Sequence, residues 1–204
     1  MVWKVRRVVT GHDARGRSVL LRDGHARNVK EMASMPGLAL TDLWETDAAP
    51  ASNAGKADVA ARPVRLELPP GGTILRIVEF PPDSMWRNRA DASKAFDSIG
   101  AGHAPVKGSS DPMMHKTSTV DYIIVLQGEI HAIMDKGETK LKAGDVLIQR
   151  GTNHSWSVRG KKPCIIAAVL VSARPVETPA PKKRRPAAKK AAPAKRPTRT
   201  AKHR

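Results

Sequence analysis

Two of the seven histidines in this 204-residue chain stand out by their spacing. His115 opens the run HKTSTVDYIIVLQG, in which Thr117, Asp121 and Gly128 follow at fixed intervals. After fifteen intervening residues begins GDVLIQRGTNHSW, which contains His154. Two imidazoles and one carboxylate, from His115, His154 and Asp121, form a donor set suited to Fe(II), Mn(II), Ni(II) or Zn(II), with positions left open for water, substrate or O₂. Successive side chains of a strand face opposite sides, so His115 and Thr117 share a face, and threonine stands where a second histidine would strengthen the set. Asp121 is one methylene shorter than glutamate. It either ligates directly or caps a turn or bonds Thr117 or Thr119.

Other residues around this constellation have two readings each. Gln149 and Arg150 precede a tight turn at Gly151, where Arg150 could fork onto a substrate carboxylate or simply stay solvated. Trp156 shares a strand face with His154 and is pocket wall or core. Tyr122 points opposite to Asp121, between sheets or at a dimer seam. Met113 and Met114 line a mouth or fill gaps in the core. His131 reads as a strand residue without a catalytic role, and His12 and His103 as loop residues.

The elements that must position these side chains are strands. WKVRRVV, SVLLRD, LALTDLW, VRLEL, TILRIVEF, VDYIIVL, EIHAIMD, DVLIQ, HSWSV and CIIAAVL are short, β-branched or alternating, and bounded by Gly, Pro, Asp or Asn. Between 120 and 171, Gly128, Lys136-Gly137, Ala143-Gly144 and Gly160 each break one strand from the next, which predicts an antiparallel meander. A barrel of this kind would set His154, at the start of a strand, opposite His115. Residues 46–62 read as an exposed loop, and residues 83–112 hold one short helix around Ala90–Ile99, with Asp91 or Ser93 near its start and Gly100 past its end.

The two runs that carry the histidines resemble the paired motifs of the cupin superfamily. The first motif matches at Gly108, His115, Asp121 and Gly128, with Thr117 for its second histidine, Asp121 for its glutamate and one extra residue after Gly108. The second matches at Gly144, Gly151 and His154, with Arg150 and Val158 in the proline and asparagine places and one residue fewer. RRVVTGHDARGRSV, LPPGGTILRIVEFPPD and QRGTNHSW are further similar to a group of small bacterial and fungal single-domain cupins. The resemblance implies an all-β fold, a double-stranded β-helix or jelly-roll barrel. It also implies a divalent metal at His115, Asp121 and His154, a substrate pocket near Thr117, Gln149, Arg150 and Trp156, and a homodimer.

Charge divides the chain. There are 36 Lys and Arg against 19 Asp and Glu; residues 178–204 hold 11 of the basic residues and no acidic one, which leaves a net of +6 on residues 1–177. The tail cations Lys182, Lys183, Arg184, Arg185, Lys189, Lys190, Lys195 and Arg196 sit among Ala and Pro, a composition that resembles the tails of histone-like bacterial proteins. Such a segment cannot bury a core and is expected to be disordered. Flexible cations meeting phosphates give sequence-blind, salt-sensitive binding to nucleic acid; without aromatic residues the tail has nothing to stack on bases.

The single cysteine, Cys164, can close no intrachain disulfide. No signal peptide and no apolar run long enough for a membrane span is readable, so the cytoplasm is the expected compartment. The chain thus divides into N-terminal strands and loop over 1–82, a connecting segment over 83–112, the motif-bearing core over 113–173 and a tail over 174–204. Three functions compete: a metal-dependent enzyme (an oxygenase, isomerase or lyase) on a small aromatic or carboxylate-bearing molecule, a non-catalytic ligand-binding or sensing barrel, and a nucleic-acid-associated protein acting through its tail.

Overall fold

Side-chain alternation accounts for most of the architecture. The computed structural model describes residues 2–87 and 91–176. Its strands are β1 (Arg6–His12), β2 (Ser18–His25), β3 (Val29–Glu31), β4 (Ala39–Thr46), β5 (Thr73–Phe80), β6 (Thr119–Gln127), β7 (Glu129–Met134), β8 (Glu138–Lys142), β9 (Val146–Arg150), β10 (His154–Ser157) and β11 (Cys164–Ser172). Two short helices, α1 (Asp83–Trp86) and α2 (Ala92–Asp97), fall between β5 and β6.

A six-stranded antiparallel sheet in the order β3-β4-β5-β11-β6-β9 faces a three-stranded sheet in the order β10-β7-β8, and β1-β2 form a separate hairpin. From β6 onward the chain moves back and forth between the two larger sheets, which is the jelly-roll form of an all-β fold. At Gly128 it leaves one sheet for the other. φ there is 80°, and a Cβ would lie 2.6 Å from the Pro163 carbonyl oxygen, so glycine satisfies both the turn and the close approach.

The core lies between the sheets. On β6 Thr119, Asp121, Ile123 and Val125 point inward, while Tyr122 and Leu126 on the other face are exposed. β11 is paired on both sides and is apolar almost throughout, as a central strand must be. Ile130, Ile166, Trp156 and Leu170 are buried in this layer. Burial of each such side chain is worth about 1.5–3 kcal/mol. β4 departs from strict alternation: its register against β5 shifts between Asp42 and Trp44, and Ala39 to Asp42 are buried in succession. The bulge turns Asp42 inward.

Helix α2 begins where the sequence places it. Asp91 is its N-cap and accepts a hydrogen bond from the Lys94 amide at 3.1 Å, and Gly100 just past its end has φ 69°. The α1 segment is tied to β10 by Asp83, whose carboxylate accepts from the Val158 amide at 3.0 Å and the Ser157 hydroxyl at 2.6 Å. This tether holds Trp86 against the barrel, and Ala95 and Phe96 of α2 are buried in the same core.

Several expected elements differ. Val64–Leu68 is not a strand; Pro63, Pro69 and Pro70 bracket it, the Arg65 carbonyl accepts from the Arg76 guanidinium, and the Leu66 amide donates to the Ile99 carbonyl, so its backbone groups are met outside a ladder. β1 starts three residues later than WKVRRVV suggests and takes in His12, which is therefore a strand residue. β3, β8 and the first of the two short helices, α1, were not anticipated. The tail residues from 177 onward, with Lys182 to Arg196 and the expected disorder, lie outside the described residues. Among the described residues, no helix is long and apolar enough to cross a membrane.

Candidate functional site: two histidines on an apolar cavity

His115 lies just before β6, in a one-residue bridge to His154 at the start of β10. Each residue's amide donates to the other's carbonyl at 2.9 Å. The two side chains therefore emerge on one face of one ladder, and their ring centroids are 4.2 Å apart. This corrects the expectation that the histidines meet across the barrel: they are neighbours in the same sheet.

Both rings are fixed in the same way. His115 Nδ1 donates to the Met113 carbonyl and His154 Nδ1 to the Thr152 carbonyl, each at 2.9 Å. A carbonyl can only accept, so Nδ1 carries the proton in each ring and the lone pair is on Nε2. Phe96 packs 5.0 Å from His115 and Trp156 packs edge-on 5.9 Å from His154. Desolvation by these neighbours lowers both pKa values. His154 is held down to about 3, with a smaller push from His115 beside it. Both imidazoles are neutral in the working pH range.

They line a cavity of about 130 Å³ whose other walls include Met32, Met35, Trp86, Phe96, Trp156 and Ile166. A void of this size between apolar walls accommodates roughly one aromatic ring. Thr117 also lines it, with its hydroxyl 2.7 Å from that of Thr119. Asp121 stands on the facing six-stranded sheet. It is 5 % exposed, and its Oδ1 has no hydrogen-bond partner among the described residues. Burial pushes its carboxyl up to about 6, against the pull of the Thr119 hydroxyl and the charge of Arg76.

Among the described residues, no three His, Cys, Asp or Glu side chains gather closely enough to hold a metal ion. The expected trio of His115, Asp121 and His154 therefore reduces to two adjacent imidazoles with a carboxyl on the opposite wall. Of the expected pocket residues, Thr117 and Trp156 line this cavity, while Gln149 and Arg150 line a separate depression with Met134 and Lys136. Gln149 is buried and turned to Thr152, and Arg150 is exposed, because successive side chains of the edge strand β9 face opposite sides of the sheet. Met113 lines the cavity and Met114 does not.

Sequence reasoning missed Arg76. It is 2 % exposed, lines the cavity, and donates from Nε to Asp42 at 2.8 Å and from Nη2 to the Arg65 carbonyl at 2.5 Å. A signal was present: in TILRIVEF, Arg76 alternates in phase with the inward Ile74 and Val78, and a charge at an inward position must have a partner. Met32, Met35 and Leu38 were missed as well, since no local pattern marks a connecting segment as cavity wall.

Residues 103–171 match the Cupin domain family. Phomopsin biosynthesis cluster protein C' of Diaporthe leptostromiformis is 29% identical over 184 residues, 84% of this chain and 80% of that protein. Cupin-domain-containing oxidoreductase virC of Hypocrea virens is 25% identical over 178 residues, 83% of this chain and 77% of that protein. Among solved structures, the Schizosaccharomyces pombe Cnp3 cupin domain aligns with 83% of this chain and 89% of that chain at 16% identity and a TM-score of 0.43.

Proposed function

The chain belongs to the cupin superfamily, and from that premise we propose that it is an oxidoreductase acting on a small, largely apolar molecule, with a divalent transition ion (Fe, Mn, Ni or Zn) held by His115 and His154. The observation that carries this reading is the matched pair of rings: two neutral imidazoles, each locked through Nδ1, leave two Nε2 lone pairs on the wall of an otherwise apolar cavity. A hydrogen bond from the second ring nitrogen to a carbonyl is what orients a histidine ligand for a metal. Such an ion would supply a Lewis acid or an O₂ anchor. The relatives named as oxidoreductases support the redox assignment.

In this scheme the protein's own residues divide the work. His115 and His154 would hold the ion through their Nε2 lone pairs. Phe96, Trp86 and Trp156 grip an apolar ring and exclude water. Asp121, on the facing wall and near 6 in pKa, can hold or give up a proton at neutral pH. The thinned ligand set, with Thr117 bonded to Thr119, favours a second reading, a barrel that binds the same molecule without turning it over.

The deciding experiment is elemental analysis of protein purified without chelator or affinity metal. About one transition ion per chain is expected, and His154→Ala should lower metal affinity at least about tenfold. Equal metal content in wild type and variant would overturn the two-histidine assignment. Metal-free protein that still quenches its tryptophan fluorescence on binding a single-ring aromatic probe such as nitrobenzene would point to the second reading.

The expected homodimer has a candidate seam. Tyr122, Leu126, Val146 and Ile148 are exposed on the outer face of β6 and β9, beside the open edge of β9. A second copy covering this strip would bury it and pair the edge. Ile148→Glu should convert a dimer into a monomer by analytical ultracentrifugation; an unchanged sedimentation coefficient would remove this face from consideration.

A further inference from the structure

A second concave site lies outside the barrel, between the β1–β2 hairpin and residues 58–62. It is a cleft open to solvent with a volume of about 900 Å³, within the range of small-molecule sites, and it shares no lining residue with the barrel cavity. Four arginines line it, Arg7, Arg22, Arg27 and Arg62, against the carboxylates of Asp23 and Asp58. Both carboxylates are already engaged. Asp58 receives both terminal nitrogens of Arg7, with Arg22 Nε 3.5 Å away, and Asp23 is held at two points by Arg6. By formal charge the lining holds two more cations than carboxylates, of which Arg62 is also met from behind by Asp42 and Glu45.

Its hydrogen-bond donors are unbalanced in the same sense. Arg22 Nη1, Asn28 Nδ2 and Arg62 Nε find no acceptor among the described residues. Arg62 spends its other nitrogens elsewhere: Nη1 on Asp42 and the Pro63 carbonyl, and Nη2 in an ion pair with Glu45 that lacks hydrogen-bond geometry. Shielded donors without acceptors are costly, and an oxyanion supplies acceptor atoms and the missing negative charge together. The Arg22 side chain keeps 28% of its surface exposed and spends Nη2 on the Lys56 carbonyl at 2.7 Å, so its guanidinium must turn from that contact for the shielded Nη1 to reach an oxyanion in the cleft.

We propose that this cleft binds a phosphoryl-bearing small molecule, with Arg22, Asn28 and Arg62 as donors to the phosphoryl oxygens and the exposed Arg27 and His25 at the rim. The planar fork of arginine matches a tetrahedral oxyanion better than it matches a single point acceptor. Leu21, Ala60 and Ala61 give the cleft an apolar patch against which the rest of such a molecule can rest. The site is independent of the two histidines and does not rest on the redox reading.

The test is isothermal titration calorimetry of the full-length chain with inorganic pyrophosphate, and separately with citrate, at fixed near-physiological ionic strength. One saturable pyrophosphate site per chain is expected. Arg22→Ala and Asn28→Asp should each weaken it at least tenfold without altering the melting temperature of the unliganded protein. Asn28→Asp keeps the side chain's shape while replacing a donor by a negative charge, so it remains decisive if Arg22→Ala disturbs the hairpin. Binding that persists undiminished in Asn28→Asp belongs to the basic tail and overturns the assignment. So does the lack of a saturable site, or citrate binding more tightly than pyrophosphate.

Discussion

The barrel interior and the N-terminal hairpin use the same ion-pair chemistry under opposite conditions. In the barrel, Arg76 and Asp42 are 2% and 1% exposed, and Asp42 is met by Arg76 Nε at 2.8 Å and Arg62 Nη1 at 3.0 Å. On the hairpin, the side chains of Arg6 and Asp23 pair at 2.8 Å but are 68% and 41% exposed. The distance is the same and the consequence is not. A charge removed from water must keep its partner, whereas a charge left in water can exchange a partner for solvent or a ligand. Arginines can therefore be structural beneath the cavity and adaptable on the hairpin.

The largest effect should come from breaking the buried side of this comparison. Asp42→Ala leaves Arg76 without its carboxylate inside the barrel and deprives Arg62 of one of its two. A loss of about 3–5 kcal/mol is expected, the cost of an uncompensated buried charge. Urea unfolding of the two proteins at pH 7.5 measures it. A loss no larger than that of an exposed pair would show that water reaches Arg76.

Next in size is a pH-dependent effect of the buried carboxyl. Asp121 has a folded pKa of about 6 against an ordinary 3.8, so the folded state binds more protons than the unfolded state between these values. Its contribution is intact below pH 3.8 and is lost as pH rises through about 6, at a cost of about 3 kcal/mol in full. His154 runs the other way. With a folded pKa of about 3 against 6.5, it favours unfolding as pH falls from 6.5 towards 3. Asp121→Asn should therefore raise the melting temperature at pH 8 and not at pH 4. Equal shifts at both values would mean that Asp121 is ionised throughout, as a carboxylate bound to a cation would be.

How far the sequence could be read follows from what is local in it. Alternation and turn glycines locate β5, β6, β7, β9, β10 and β11, because strand period and positive φ are properties of a few adjacent residues. The spacing of His115 and His154 brings out two residues that the structure places side by side. Their adjacency within one ladder was not readable, since His115 pairs as a single bridge outside any strand. Nor was the assignment of Gln149 and Arg150 to an outer edge, which depends on the order of strands in the sheet. Arg76 was visible as an out-of-place charge, but Asp42 could be recognised as its partner only through a bulge that turns it inward.

The smallest effect on stability, and the sharpest contrast, should come from the exposed pair. Arg6 and Asp23 are both open to solvent, and each shifts the other's pKa chiefly through their hydrogen bonds, so little stability is at stake and salt screens what there is. Arg6→Ala is expected to leave the urea midpoint unchanged. Asp23 nonetheless lines the arginine cleft, and losing its partner frees a negative charge there. The same variant should weaken pyrophosphate binding several-fold, and Asp23→Asn, which removes that charge, should strengthen it. A hairpin pair that proved important for stability and irrelevant to anion binding would reverse the division between structural and adaptable arginines.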